Sequence, residues 1–271
     1  VLLLRAIEPK PANSQAGGFP YDMAVLQSFR GMALTSPVTF LVGENGSGKS
    51  TFLEALACAV GSRTVGSESV DTDPTLADVR RFAHDQLKLV WSKRTRAGFF
   101  MRSEDFFGFA KRMSQALSEL EQNVRDVEDD YAGRSEFAKG LARLPYKREI
   151  AELRRSYGEG LDTNSHGEGF FKLFRSRFSG EGLYLLDEPE APLSPTRQLS
   201  LLAMIKQMVD QRGQFIIATH SPILMAYPGA AIFSFDDGVI QPVAYEQLEH
   251  VIITRNFLNS PETYLRHLFE A

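Results

Sequence analysis

Apolar and polar positions follow two rhythms along this chain. Unbroken apolar or β-branched runs stand at residues 38–42 (Val-Thr-Phe-Leu-Val), 182–186 (Gly-Leu-Tyr-Leu-Leu) and 214–218 (Gln-Phe-Ile-Ile-Ala). Runs of that length without alternation predict strands buried on both faces. Elsewhere the apolar residues step by three and four. Phe106, Phe109, Met113, Leu117, Leu120, Val124 and Val127 predict a long amphipathic helix, with Lys111, Arg112, Glu121 and Arg125 on other faces. Ser50 to Val60 predicts a helix stopped by Gly61, and Arg197 to Gln211 another. Ser260, Pro261 and Glu262 supply an N-cap, a proline at the first helical position and an early acid for a last helix.

Shorter signals fill the gaps. Leu2 to Ile7 and Met23 to Gln27 predict strands either side of a Pro/Gly loop, and Leu87 to Trp91 and Gly98 to Met101 two more. The polar residues 62–84 predict a loop, and Ala231 to Phe235 with Val239 to Val243 a hairpin turning through Asp236, Asp237 and Gly238. The expected fold is an α/β core with an antiparallel β-subdomain, all in one domain over 1–271. Residues 104–160 form a mainly helical subdomain inserted within it.

Composition narrows the class. At 43% hydrophobic and 24% charged residues the chain is ordinary globular protein, and no apolar run approaches the roughly 18 residues that span a bilayer. Val1 to Leu4 is too short for a signal-peptide core, so a cytosolic location without direct membrane insertion is expected. The lone Cys58 excludes an internal disulfide, and the five histidines have no zinc-ligand spacing. A net charge of −4 gives no general attraction to nucleic acid, though Lys93, Arg94, Arg96 and Arg102 cluster locally. That cluster is either a solvated face or a contact for nucleic acid or a partner.

The chemistry concentrates in two motifs. Gly43, Glu44, Asn45, Gly46, Ser47, Gly48, Lys49 and Ser50 fit the P-loop pattern in full, between a strand and a helix that Thr51 continues. The glycines let backbone N–H groups turn inward, and the positive end of the helix points to the same place, an arrangement that binds phosphates. Lys49 would reach the β- and γ-phosphates of ATP, and the Ser50 hydroxyl would ligate Mg²⁺. Downstream, four apolar or aromatic residues lead to Asp187 and Glu188. An acid at the end of a buried strand can hold Mg²⁺, and its neighbour can act on the attacking water.

Taken together these residues resemble the ABC-type ATPases. Asp187-Glu188-Pro189 with Leu193-Ser194 is similar to their Walker B and D-loop pair, and His220 in Ala218-Thr219-His220-Ser221-Pro222 to their switch histidine. Asn164 to Gly169 stands where the signature segment is found. Ser165 lies 22 residues before Asp187, and His220 lies 32 after Glu188. The resemblance implies that Lys49, Glu188 and His220 are catalytic. It also implies that Ser165, Gly167 and Glu168 reach across to the nucleotide of a second copy in a homodimer. The signature departs from the family at His166 and Glu168, where glycine and glutamine are usual. No glutamine follows the strand at 98–101, so Arg102 or Glu104 replaces it or the segment is structural. Phe19 and Tyr21 fall near the family's adenine-stacking loop, with core packing the competing role.

Within the family the chain looks most like stand-alone AAA-family ATPases with heads of the SMC and RecF kind. The expectation is a Mg²⁺-dependent ATPase switch that dimerises head to head and acts on a protein or nucleic-acid partner through its helical insert. The alternative is the ATP-binding subunit of a membrane transporter whose permease is a separate chain.

Overall fold

The computed structural model describes residues 2–11, 17–65, 69–157, 166–178 and 180–269. In chain order its elements are β1 (Leu4–Pro9), α1 (Ala24–Gln27), β2 (Met32–Ala33), β3 (Val38–Val42), α2 (Lys49–Val60), α3 (Ala77–Gln86), β4 (Leu87–Trp91), β5 (Gly98–Arg102), α4 (Ser103–Asp130), α5 (Glu136–Tyr157), α6 (His166–Arg177), β6 (Gly182–Asp187), α7 (Pro195–Asp210), β7 (Gly213–Ala218), α8 (Pro222–Met225), β8 (Ala231–Ser234), β9 (Gln241–Pro242), α9 (Glu249–Asn259) and α10 (Pro261–Phe269). Two sheets form. One is antiparallel, in the order β2-β1-β4; the other has six strands in the order β5-β6-β7-β3-β8-β9 and is parallel except for β9.

The unbroken apolar runs are explained by burial on both faces of the six-stranded sheet. Val38, Phe40, Tyr184, Leu186, Phe215 and Ile217 point into one core, closed by Phe170 and Phe174 of α6 and Leu201, Met204 and Ile205 of α7. The alternate residues Leu41, Leu183, Leu185 and Ile216 point into a second core with Phe52, Leu53 and Leu56 of α2 and Leu4 and Ile7 of β1. Each fully buried Leu, Ile or Phe contributes about 1.5–3 kcal/mol. Helix α2 is therefore clamped between the two sheets, and its N-terminus is held against the end of β3.

One polar side chain ties the sheets together. Gln214 of β7, 2% exposed, accepts from the backbone N–H groups of Leu3 and Leu4 through Oε1 (2.9 Å each) and donates from Nε2 to the Leu4 carbonyl at 2.8 Å. These groups lie at the start of β1, and burial leaves them no water to turn to.

Between β5 and β6 the chain makes an antiparallel pair of helices, α4 and α5, joined through residues 131–135 and crosslinked by Arg143 to Glu128 and Arg154 to Glu121. Three expectations need correction. Residues 24–27 are a helical turn rather than a strand, since four residues are too few to reveal a period. Residues 77–86 are a helix rather than loop: Val79, Phe82 and Ala83, spaced by three and four, pack into the second core. The hairpin at 231–243 forms, but its second strand is only Gln241–Pro242.

Replacing Gln214 by leucine keeps the bulk but orphans two donors and one acceptor. The expected cost is about 3 kcal/mol, from the 1–3 kcal/mol of each buried unsatisfied group after partial relaxation. Urea unfolding of Gln214→Leu checks this; a loss below about 1 kcal/mol would mean the sheets do not depend on this bridge.

Candidate functional site

Strands β3, β6 and β7 end at the same edge of the sheet, and the site is built from the segments by which the chain leaves them. Their exits are held by main-chain bonds: Glu188 N–H donates to Ala218 O (2.9 Å), and Thr219 N–H to Leu41 O (3.2 Å). Ligands of open α/β sheets gather at such carboxyl ends.

Residues 43–48 leave β3 and wrap the N-terminus of α2. Gly43 sits at φ 142° and Gly48 at φ 98°, values that favour glycine. Space excludes a side chain as well. A Cβ on Gly43 would stand 2.8 Å from Asp236 Oδ1, and one on Gly48 would stand 2.8 Å from Val25 Cγ1. Lys49 is 4% exposed, and its Nζ donates to the carbonyls of Gly43 and Glu44 at 2.8 Å each, curling the loop around the ammonium. Burial lowers its pKa, while the carboxylates of Glu188, Asp187, Asp236 and Glu44 oppose that shift.

The two motifs meet directly. Ser50 Oγ donates to Asp187 Oδ1 at 3.1 Å, across 137 residues of sequence. Burial pushes the Asp187 carboxyl up to about 7; the Ser50 hydrogen bond opposes this and the charge of Glu188 adds to it. A hydroxyl and a carboxylate are hard oxygen donors, and Mg²⁺ commonly takes only one or two protein ligands beside substrate phosphates. Ser50 and Asp187 therefore fit that ion. Among the described residues no cluster of three or more His, Cys, Asp or Glu offers a metal cage of its own.

Glu188 comes next at φ 47°, a left-handed conformation uncommon for a side chain of this kind. Its Oε1 lies 3.8 Å from His220 Nε2, and both side chains remain partly open to solvent at 40% and 37%. So Lys49, Ser50, Asp187, Glu188 and His220 stand together. Thr51 continues α2 in its first turn. Of the signature-like segment, Ser165 lies outside the described residues, while Gly167 and Glu168 are in the first turn of α6.

Other expectations change. Tyr21 packs edge-on against Phe82 at 5.3 Å and donates to Asp85 at 3.1 Å, so it has the packing role; Phe19 is exposed. Arg102 does not belong to an exposed basic cluster. It is mostly buried among the carboxylates of Glu54, Asp73 and Asp105, with Glu104 3.4 Å away, and their charges raise its pKa against the effect of burial. Lys93 pairs with Glu181 at 2.6 Å, leaving Arg94 and Arg96 of the expected patch exposed.

Sequence reasoning missed three groups. Asp236 accepts from Glu44 N–H (2.9 Å) and Ser234 Oγ (2.7 Å), bracing the P-loop from the end of β8. His250, its pKa lowered by burial and by His220, helps line a cavity of about 740 Å³ between the outer side of the P-loop, residues 23–25 and residues 234–238. Glu190 binds the exit of β7. Asp236 and Glu190 carried only the signal of a polar residue just past a strand end, and His250, in the first turn of α9, carried none.

Known proteins share parts of this sequence and layout. Residues 26–96 match the family described as AAA domain. The macrolide export ATP-binding/permease protein MacB of Photorhabdus laumondii is 24% identical over 237 residues, 84% of this chain and 33% of that protein. The protein of the same name from Salmonella typhimurium is 27% identical over 240 residues, 83% and 33% respectively. The chain thus spans about a third of the length of these curated relatives. Among solved structures, a nucleotide-free ATP-binding cassette from an ABC transporter aligns over 95% of this chain and 96% of its own, with TM-score 0.49 and 15% identity. A Pyrococcus furiosus Smc head domain aligns over 94% and 99%, with TM-score 0.43 and 14% identity.

The Asp187 shift has a sign that can be tested. A carboxyl whose folded pKa is raised stabilises the metal-free protein below its unfolded pKa of about 4, and that contribution is lost as pH rises through the folded value. Asp187→Asn cannot titrate. Its Tm relative to wild type, measured with a chelator present, should therefore climb between about pH 4 and pH 7. A difference that stays flat across this window would contradict a neutral buried carboxyl.

Proposed function

We propose that this chain, an ABC-type P-loop ATPase by its motifs and fold, couples Mg²⁺-dependent ATP hydrolysis to head-to-head dimerisation as a cytosolic switch. The observation that carries this reading is the Ser50–Asp187 bond, with Lys49 buried beside it and Glu188 at the open side. Backbone N–H groups of the P-loop and the N-terminus of α2 bind the phosphates, and Lys49 turns from the loop carbonyls to the β- and γ-phosphates. Ser50 and Asp187 would hold Mg²⁺, which when bound supplies charge neutralisation between those phosphates. Glu188 orients a water and takes its proton as the water oxygen bonds to the γ-phosphorus and the bond to the bridging oxygen breaks, leaving ADP and phosphate. His220 hydrogen-bonds the γ-phosphate and reports its loss.

A P-loop covers one side of a nucleotide. In the dimer, Ser165, Gly167 and Glu168 of each copy close the other side for its partner, so two sites are completed by one two-fold arrangement. The α4–α5 pair, with Phe137, Leu141 and Leu144 exposed on α5, is the element that engages a protein or nucleic-acid partner. A second reading is the ATP-binding part of a membrane transporter; the names of the MacB relatives favour it, although they join the ATP-binding and permease functions in one protein rather than leaving the permease a separate chain. Among the described residues no helix is long and apolar enough to cross a membrane.

Lys49→Ala should remain folded and lose ATP turnover. Glu188→Gln should slow turnover by about 10² to 10⁴ and run as a dimer with Mg-ATP on a sizing column. Ser165→Arg should block that dimer, and mixing it with Lys49→Ala should restore activity through one intact composite site. A Glu188→Gln protein that stays monomeric where wild type is active rules out the dimer mechanism. Turnover that appears only with membranes or a co-purified permease favours the transporter reading.

A further inference from the structure

Glu190 is a carboxylate for which the chemistry above has no use. It stands two residues past Glu188, where the chain turns at Pro189 after leaving β6. Its Oε1 accepts from the Thr219 hydroxyl at 2.6 Å and from the backbone N–H of His220 at 2.8 Å. Oε2 is buried and has no hydrogen-bond partner among the described residues. Burial raises the pKa of this carboxyl against both bonds, so keeping it here costs stability.

The location suggests what that cost secures. The β6–β7 ladder ends at the pair Asp187 and Ala218, and the bond from Glu188 N–H to Ala218 O is its final main-chain rung. Beyond it both strands have ended, and Glu188 and His220 face each other with Oε1 3.8 Å from Nε2. Glu190 folds back and adds one side-chain rung past the end of the ladder, gripping Thr219 and His220 with a single oxygen. The geometry points to Glu190 as a positioning residue that sets the separation of Glu188 and His220, and so the alignment of the groups that act on water and γ-phosphate. It touches neither.

The inference rests on the ATPase reading and makes a separable claim. Displacing a reacting group by about 1 Å can cost on the order of 10² in rate. Glu190→Ala should therefore lower kcat about 10- to 100-fold, with KM for ATP and calorimetric ATP binding nearly unchanged. Glu190→Gln retains the accepting oxygen and should recover most of that loss. Because the effect passes through His220, adding Glu190→Ala to His220→Ala should lower kcat little further, the signature of coupled residues. Glu190→Asp keeps the charge but is too short to reach, so it should behave like alanine. It carries the test if Glu190→Ala fails to fold. Wild-type kcat in Glu190→Asp or Glu190→Ala, equal failure of the glutamine variant, or losses that multiply with His220→Ala would each overturn the inference. Wild-type protein without Lys49-dependent turnover would instead sink the ATPase reading, and this inference with it.

Discussion

Strand β3 is buried along its whole length between β7 and β8, and the candidate site begins where that burial stops. A parallel sheet covered on both faces leaves no place for charge except at strand ends. Register then decides which ends coincide. Leu41 lies beside Ala218, and Ala218 beside Asp187, so the P-loop, Thr219–His220 and Asp187–Glu188 leave the sheet at one level. A slip of one residue in any strand would send its next side chain to the wrong face. The apolar cores on either side make that slip expensive.

Placing charge at the rim of an apolar sheet is itself costly, and each charged group is handled differently. Lys49 is surrounded by loop carbonyls, Asp187 is driven toward its neutral form and bonded to Ser50, and Arg102 collects three buried or half-buried carboxylates. The Arg102 cluster joins the start of α4 to Glu54 on α2 and to Asp73, where it neutralises acids that would otherwise face one another. A cation there connects the helical pair to the helix behind the P-loop. Glu190 differs, with one oxygen accepting two hydrogen bonds and the other without a partner among the described residues.

Contiguous features were readable in the amino-acid order because their physics is local. The glycine positions of residues 43–48 reflect backbone conformation and close approach, and the uninterrupted runs at 38–42 and 182–186 reflect burial on both faces. The long helix α4 announced itself by period, and the end of α2 by Gly61, whose φ of 69° lets the chain reverse. Helix α3 carried its period too, in Val79, Phe82 and Ala83, but the polar stretch before it masked the signal.

What the order of residues determined by itself was therefore the set of elements and the chemistry each could offer: a phosphate loop, an acid pair after a buried strand and a histidine after the next. Tertiary structure alone decided which polar residues became partners. Gln214 reaches the start of a strand 210 residues away, Asp236 a loop 192 residues away, and Glu190 the following strand's exit. Arg102 read as one member of a basic cluster until the fold enclosed it in acids. The reason is physical: a buried polar atom is selected by whichever unpaired group the fold brings to it, and that group need not lie nearby in the chain.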